Sequence, residues 1–473
     1  MIDFIRQHRS KHPAVIDTDR NQVLSYETLY DQMEQIALAI RHLTRDRTLV
    51  FLHSSATSDF LILYLACLFN RDPVCLLESG LLEATEKLLA AYHPNLVLSP
   101  PGMSIPEGYS DAGRIPGTCY NCAVPKSNPA PQKLHQDLAL LLPTSGTTGN
   151  PKLVRLTQKN LQANAQSIAQ YLDLSPDERS IQGLPMHYAY GLSLVNSHLV
   201  AGGTIVLTRW SFLQAEFWRT FDAQRCTSFA GVPYMYETLD RLAFDPACHP
   251  SLRTMTQAGG ALRPDIVRRL GRAVAKAGCR LFIMYGQTEA TARISYVPPQ
   301  LLQEKIGSIG IPIPGGRMEL AELEATEGLK ELVYFGPNVM MGYATSAASL
   351  AQADELHGKL FSGDLARVDN DGFFYITGRL KRFAKLFGRR ISLEDIEANL
   401  ESSFTVRAAA IEADEHLSVY IEGGDSSDAD RIRQYLASWL QMSPIAVTVK
   451  PIERIPMTCS GKKAYPALLV EAA

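Results

Sequence analysis

The feature that most narrows the folds open to this chain is an early, repeated alternation of amphipathic helix and short apolar strand. Leu29, Met33, Ile36, Ile40 and Leu43 recur at spacings of four and three, which places them on one face of a helix starting near Ser25. A strand is then expected at Leu49–Leu52, a helix near Ser58–Phe69, a strand at Pro73–Leu77, a helix near Glu83–Ala91 and a strand at Leu96–Leu98. Such alternation argues for wound α/β layers with parallel strands. Residues 100–136, rich in Pro, Gly, Ser and Asn, read as a long connection into the apolar strand Leu138–Leu142. The α/β pattern continues to about Tyr375, with "GIPIPGG" (Gly310–Gly316) as a turn-rich break before a β-rich portion. After "GRLKR" (Gly378–Arg382) the order changes to helix Ser392–Ser402, strand Val406–Ile411, strand Ser418–Glu422, helix Asp428–Leu440 and strand Ile445–Lys450. The expectation is a large α/β body over residues 1–380 and a small α+β domain over 381–473.

Bulk properties exclude several classes. A chain of 473 residues, 46% hydrophobic, builds large cores. At roughly 150 residues per domain it is too long for a lone binding module. Forty-six Lys and Arg nearly balance 49 Asp and Glu, so composition shows no polyanion-binding field and nucleic acid is a poor candidate partner. The eight cysteines are scattered, as reduced thiols are in a cytosolic protein. Cys119 and Cys122 alone form a CxxC, to be read as a loop coincidence or as half of a metal or redox site with outside ligands. "MIDFIRQHRSKHP" has no apolar signal core, and the run Leu61–Phe69 is about half the ~20 residues that span a bilayer, so a cytoplasmic protein without a transmembrane segment is expected. No carrier domain with a Gly-Gly-x-Ser site is evident.

One loop has almost nothing to bury. "LLLPTSGTTGNPK" follows its apolar strand with Thr144, Ser145, Gly146, Thr147, Thr148, Gly149 and Lys152. Glycines let backbone N–H groups approach an anion, and hydroxyls and an ammonium add donors, so phosphate is the natural ligand. Only two residues separate Gly146 from Gly149, and Leu153 follows Lys152, so the Walker pattern of four intervening residues and Lys-Ser/Thr is not met. The plain alternative is a polar strand-to-helix turn.

"TSGTTGNPK", "MYGQTEA", "FSGDLARVDNDGFFYITGR", "KLFGRRI" and "IPMTCSGKK" follow one another in that order. Together they resemble the adenylate-forming enzymes: acyl- and aryl-CoA synthetases, peptide-synthetase adenylation domains and luciferase. The resemblance spans nearly the whole chain. It implies that Tyr285 and Gly286 lie against adenine, Thr288 contacts phosphate and Glu289 holds Mg²⁺, for which carboxylate oxygen is a suitable ligand. It assigns Asp364 and Arg379 to the ribose hydroxyls, and the small-residue segment Ala258, Gly259, Gly260 and Ala261 to the close approach of adenine and acid. It places Lys462 at the adenylation step, where an ammonium bridges two anions that otherwise repel; Lys463 is adjacent, but the motif register favours Lys462. It also implies a mobile C-terminal domain that turns about a hinge at Lys381, with Lys385 and Gly388 beside a thiol tunnel. Taken singly, most of these residues have bland alternatives: a solvated helix-start carboxylate for Glu289, a turn or cap for Asp364, a Gly-Gly turn, and a basic linker for Arg379–Arg390.

The acid pocket is expected from "HYAYGLS" (His187–Ser193), "FAGVPYMY" (Phe229–Tyr236) and Ala258–Ala261, with Tyr188, Gly191, Val232, Pro233 and Ala258 as lining. No aspartate lies between Leu184 and Asn196 to pair with an α-ammonium, so an aryl or aliphatic acid without an α-amine is favoured. Relatives often have His where Tyr188 stands; His187 is one residue earlier, a pocket-wall side chain or, less simply, a base. Leu153 also departs from the glycine usual in relatives. The expected co-substrates are ATP with Mg²⁺ and the pantetheine thiol of CoA or of a separate carrier protein. Rival readings are a stand-alone amino-acid adenylating enzyme and a catalytically retired nucleotide-binding protein.

Overall fold

The computed structural model describes residues 2–127, 132–143, 152–323, 329–386, 389–404, 406–413, 416–440, 442–458 and 463–470. By contacts the chain divides into two compact units: Met1–Met318 with Tyr334–Leu360, and Glu319–Val333 with Phe361–Ala473.

The first unit is built on two large mixed sheets. One runs in the order Ile311–Pro312, Ser295–Val297, Arg280–Tyr285, Thr254–Gln257, Ser228–Gly231, Arg179–Ile181, Thr204–Leu207, Pro13–Asp17, Gln22–Ser25. The other runs Gly342–Ala344, Leu153–Thr157, Leu138–Pro143, Val74–Leu77, Val50–His53, Leu96–Ser99, Asn121–Pro125, Tyr109–Arg114. Central strands pair in parallel, as the alternation requires, while the edges of both sheets are antiparallel. The helices Ser58–Asn70 and Ala189–Ala201 are apolar nearly all round and share one core with strands of both sheets.

Tyr26–Thr44 forms the expected first long helix, capped by the Ser25 hydroxyl, which accepts from the Thr28 N–H at 3.1 Å. Leu29, Met33, Ile36 and Ile40 are buried, but Leu43 is 42% exposed: the apolar stripe ends a turn before the helix does. The expected long connection over 100–136 is corrected by the hairpin Tyr109–Arg114 and Asn121–Pro125, which extends the second sheet antiparallel to Leu96–Ser99. "YSDAGR" buries only Tyr109 and therefore carries no alternating signal; its strand character comes from the neighbour it pairs with.

The second unit takes up most of a four-stranded sheet, Arg317–Glu322, Lys330–Phe335, Lys359–Val368 and Phe374–Arg379, the β-rich portion expected after "GIPIPGG". A hairpin of Phe383–Leu386 and Arg389–Ser392 follows. Strands Arg407–Ala413, His416–Glu422 and Val447–Ile452 then pack beneath helices Leu393–Ser403 and Ser426–Leu440. Among the described residues no helix is long and apolar enough to cross a membrane.

Candidate active site

Strand Arg280–Tyr285, parallel to Thr254–Gln257, delivers "MYGQTEA" to its end, where the chain doubles back into the antiparallel strand Ser295–Val297. A Cβ on Gly286 would lie 1.8 Å from the Ala292 carbonyl oxygen, so only glycine lets the outgoing and returning segments touch. The return is tied by Ala292 N–H to the Gln287 carbonyl at 3.1 Å and Ile294 N–H to the Tyr285 carbonyl at 2.9 Å. Between them Thr288–Ala290 forms a single 3₁₀ turn, and Thr291 (φ 55°) and Ala292 (φ 101°) adopt left-handed backbone without being glycine. Such conformations cost about 1–3 kcal/mol each and persist only where the surroundings hold them.

Asn338, 1% exposed, does the holding. Its amide donates to the carbonyls of Ala290 at 2.7 Å and Arg293 at 2.8 Å. Its own carbonyl accepts from the Thr291 hydroxyl at 2.6 Å, and its side-chain oxygen accepts from Tyr334 at 2.8 Å. Sequence reasoning missed Asn338. The cluster Gly336-Pro337-Asn338 signals a turn, but nothing local says what that turn will grip.

The turn aims Glu289 at a second element. Tyr343, on the strand Gly342–Ala344, donates its hydroxyl to Glu289 Oε1 at 2.6 Å. Lys152 Nζ lies 5.9 Å from the centre of the same ring. Thr144, Ser145, Gly146, Thr147, Thr148 and Gly149 lie outside the described residues; Lys152 and the strand Leu153–Thr157 bound that segment on its far side, and Gly342–Ala344 pairs antiparallel with that strand. Leu153 is fully buried in the core, so the leucine that departs from the usual glycine is a packing residue. Burial and the Glu289 carboxylate push the Tyr343 hydroxyl's pKa up, keeping it a donor. Among the described residues Glu289 Oε2 has no hydrogen-bond partner, so this partly exposed carboxylate retains an oxygen suited to a hard divalent cation. Tyr343 has no signature in its own stretch of sequence.

The segments expected to form the acid pocket converge. Gly259 has φ +90°, and a Cβ there would lie 2.7 Å from the Tyr188 hydroxyl and 3.1 Å from Val232 Cγ1. Gly260 faces Pro233, with Cγ 3.2 Å from its would-be Cβ, and the Ala258 N–H reaches the Gly231 carbonyl at 3.3 Å. Ala261 follows on the exposed surface. Gly191 instead packs tightly on backbone: a Cβ there would be 2.1 Å from the Pro185 carbonyl oxygen. His187 lies 3.9 Å from the Glu78 carboxylate, and burial lowers its pKa despite that neighbour.

In the second unit, Asp364 and Arg379 are register partners on adjacent strands. Arg379 Nε reaches Asp364 Oδ1 at 2.7 Å, with the carboxylate 1% exposed. Glu394 stands 3.9 Å from the same nitrogen, and burial raises its pKa. Lys381 lies in the short turn Leu380–Arg382 and Lys385 in the strand Phe383–Leu386; Gly388 and Lys462 lie outside the described residues. Lys463 is accounted for: its ammonium reaches Glu397 at 2.8 Å, Glu401 at 2.9 Å and the Ala408 carbonyl at 2.5 Å. Arg382 also pairs with Glu397 and lies over the Tyr465 ring, whose hydroxyl donates to Glu397 at 3.0 Å. Met457 and Lys463 form an antiparallel β-bridge.

Of the CxxC, Cys122 is buried in its strand, while the partly buried Cys119 accepts from Arg20 at 2.8 Å. Among the described residues no group of three or more His, Cys, Asp or Glu is placed to hold a metal.

Against known proteins, residues 3–344 match the family described as AMP-binding enzyme. A feruloyl-CoA synthase of Amycolatopsis is 32% identical over 350 residues, 69% of this chain and 68% of that protein. A sulfoacetate–CoA ligase of Cupriavidus necator is 33% identical over 326 residues, 67% of this chain and 60% of the relative. In fold, the chain superposes on the O-succinylbenzoate CoA synthetase of Bacillus subtilis in complex with AMP with a TM-score of 0.78, at 21% identity and covering 98% and 96% of the two chains.

Proposed function

The chain belongs to the AMP-binding enzyme family, as an AMP-forming acyl-CoA synthetase, and from that premise we propose how its residues carry the reaction. An oxygen of the acid's carboxylate attacks the α-phosphorus of ATP, the bond to the β-phosphate oxygen breaks, and pyrophosphate leaves from an acyl-adenylate. The sulfur of a pantetheine thiol then attacks the acyl carbon, the carbonyl–phosphate bond breaks, the thiol proton passes to solvent, and AMP departs with the acyl thioester left behind.

The observation that carries this reading is the meeting of Lys152, Tyr343 and Glu289, which joins the edge of the glycine-threonine segment to the "MYGQTEA" turn. An ammonium and an oriented carboxylate that both meet one tyrosine ring suit a polyphosphate and its counter-ion. Glu289 is the residue that would hold Mg²⁺, which neutralises the phosphate charge that otherwise repels an incoming carboxylate. Thr288 and the hydroxyls of Thr144, Ser145, Thr147 and Thr148, with the backbone N–H groups of Gly146 and Gly149, donate to the phosphates. Tyr285 and Gly286 flank the adenine, and Ala258, Gly259, Gly260 and Ala261 let adenine and acid approach the backbone. Asp364, oriented by Arg379, accepts from the ribose hydroxyls; a carboxylate offers two acceptors to two neighbouring donors.

Lys462 supplies the bridging ammonium for adenylation, with Lys463 locked beside it as an anchor. Lys381 is the pivot between the two half-reactions, and Lys385 and Gly388 serve the thiol. Tyr188, Val232, Pro233 and Ala258 frame an acid without an α-amine, with Gly191 packing the helix start against Pro185, since no carboxylate is borne by the helix Ala189–Ala201. The thiol is that of CoA, with a separate carrier protein as the competing acceptor.

The test is ATP–pyrophosphate exchange across aryl, aliphatic and amino acids, followed by thioester detection with CoA and with carrier proteins. Exchange with simple acids and thioester on CoA support the reading. Exchange restricted to amino acids, or ATP binding with no turnover of any acid, refutes it. Lys462→Ala is expected to abolish exchange and to leave thioester formation from supplied acyl-adenylate largely intact; equal loss of both in a folded variant refutes the pivot.

A further inference from the structure

Two arginines among the described residues are fully buried, and they are solved differently. Arg155 is met by Glu355 at 3.3 Å and by the carbonyls of Gln352, Met341 and Ala353. Arg293, 1% exposed, has no carboxylate within 4 Å among the described residues. Its guanidinium lies 4.1 Å over the ring of Tyr190 and makes a long 3.3 Å contact with the Ala292 carbonyl, and its charge favours ionisation of the nearby Tyr171 hydroxyl, which burial opposes. Its Nε, buried, donates to nothing. A guanidinium brings five N–H donors and a charge that it cannot shed, so burial with so few acceptors is costly unless an anion completes the site.

Its position says which anion. Tyr190 belongs to the "HYAYGLS" stretch, its hydroxyl donates to the Thr256 carbonyl at 2.8 Å just before Ala258, and its ring stands 6.3 Å from that of Tyr188. Tyr188 in turn sits over Gly259. Arg293 thus adjoins the acid-binding segments through the Tyr190 ring, four residues beyond Glu289, and its main chain is gripped by Asn338. A structural arginine could have been an apolar residue against Tyr190; a cation there gains only if the molecule entering past Tyr188 is negatively charged at its far end.

We infer that the acid activated by this protein carries a second carboxylate, and that Arg293 pairs with it, selecting diacids over monoacids of the same length. This rests on the ligase reading and names its substrate class. The carboxylate near the nucleotide is adenylated; the distal one stays ionised and forms a charge-assisted, bidentate pair with the guanidinium.

The test is pyrophosphate exchange by the full-length protein with linear dicarboxylic acids of three to eight carbons and with benzene-ring diacids, each paired with its monomethyl ester. The wild type is expected to prefer the diacid by about 100-fold or more in kcat/KM in at least one pair. Arg293→Met is expected to collapse that diacid-to-ester ratio by about the same factor, with Arg293→Lys between the two. Equal use of diacid and ester by the wild type overturns the inference without touching the ligase reading, as does a parallel loss of both in Arg293→Met with the ratio unchanged. Exchange with none of the acids, while ATP still binds, removes the ligase reading and this inference together. If Arg293→Met does not fold, the wild-type ratio and Arg293→Lys decide.

Discussion

Replacing Asn338 by alanine should damage stability and catalysis through one turn. The substitution deletes two donors to the carbonyls of Ala290 and Arg293 and the acceptor of the buried Tyr334 hydroxyl. Each hydrogen bond is worth about 0.5–1.5 kcal/mol net, and the groups abandoned in a buried site push the total toward the upper end. Against this, the left-handed backbone at Thr291 and Ala292 is freed to relax and returns part of its strain of about 1–3 kcal/mol per residue. The expected loss is about 2–4 kcal/mol, measured by urea unfolding followed by circular dichroism. Relaxation moves Glu289, so pyrophosphate exchange should fall by roughly 10²-fold, the usual consequence of misplacing a reacting group by about 1 Å. Asn338→Asp, which keeps the acceptor for Tyr334 but sets a carboxylate against two carbonyls, should be no better than alanine. An alanine variant within about 0.5 kcal/mol of the wild type and fully active would refute the idea that Asn338 holds the turn.

Gly286→Ala puts a methyl 1.8 Å from the Ala292 carbonyl oxygen, so the two backbone segments must part; overpacking of about 1–3 kcal/mol in unfolding and a loss of exchange are expected, and a variant that is stable and active would contradict the close approach. Lys463→Met should destabilise the second unit by about 2 kcal/mol, because Glu401 loses its cation while Glu397 keeps Arg382 and Tyr465. Lys462→Ala should leave melting unchanged, so similar melting curves for the two variants would sink the division between anchor and reactive ammonium. Burial lowers the pKa of His53 from its ordinary 6.5 to about 4. The unfolded chain therefore takes up that proton first: the contribution is complete above pH 6.5 and is lost as pH falls through 4, about 3 kcal/mol in all. His187 and His198, lowered for the same reason, act in the same direction; unfolding free energy measured from pH 7 to 4 should decline less steeply in His53→Gln.

Much of the architecture was legible because helices and buried strands print their own backbone period on the chain. Ser25 was readable as the start of a helix, and the helix–strand–strand–helix–strand order after residue 390 lies within a few residues of expectation. The hairpin at Tyr109–Pro125 was not readable, since a strand borrowing its stability from a sheet edge has no apolar alternation of its own. Among the candidate residues, Tyr188, Val232 and Gly259 come from three separate stretches and meet in space. Arg293 is one charge in "TARISY", a stretch in which nothing marks it for burial.

By itself, then, the amino-acid order determined the α/β body, the smaller α+β portion and the kind of chemistry, because hydroxyls, glycines and an ammonium in one short loop express their preference for anions locally. Only the tertiary structure decided the partners: Tyr343 for Glu289 across 54 residues, Asn338 for the carbonyl of Ala290 across 48, and Tyr190 beneath Arg293. Those pairings depend on which strands become neighbours in a sheet, and strand order is set by the burial of whole elements against one another, which no local run of residues encodes.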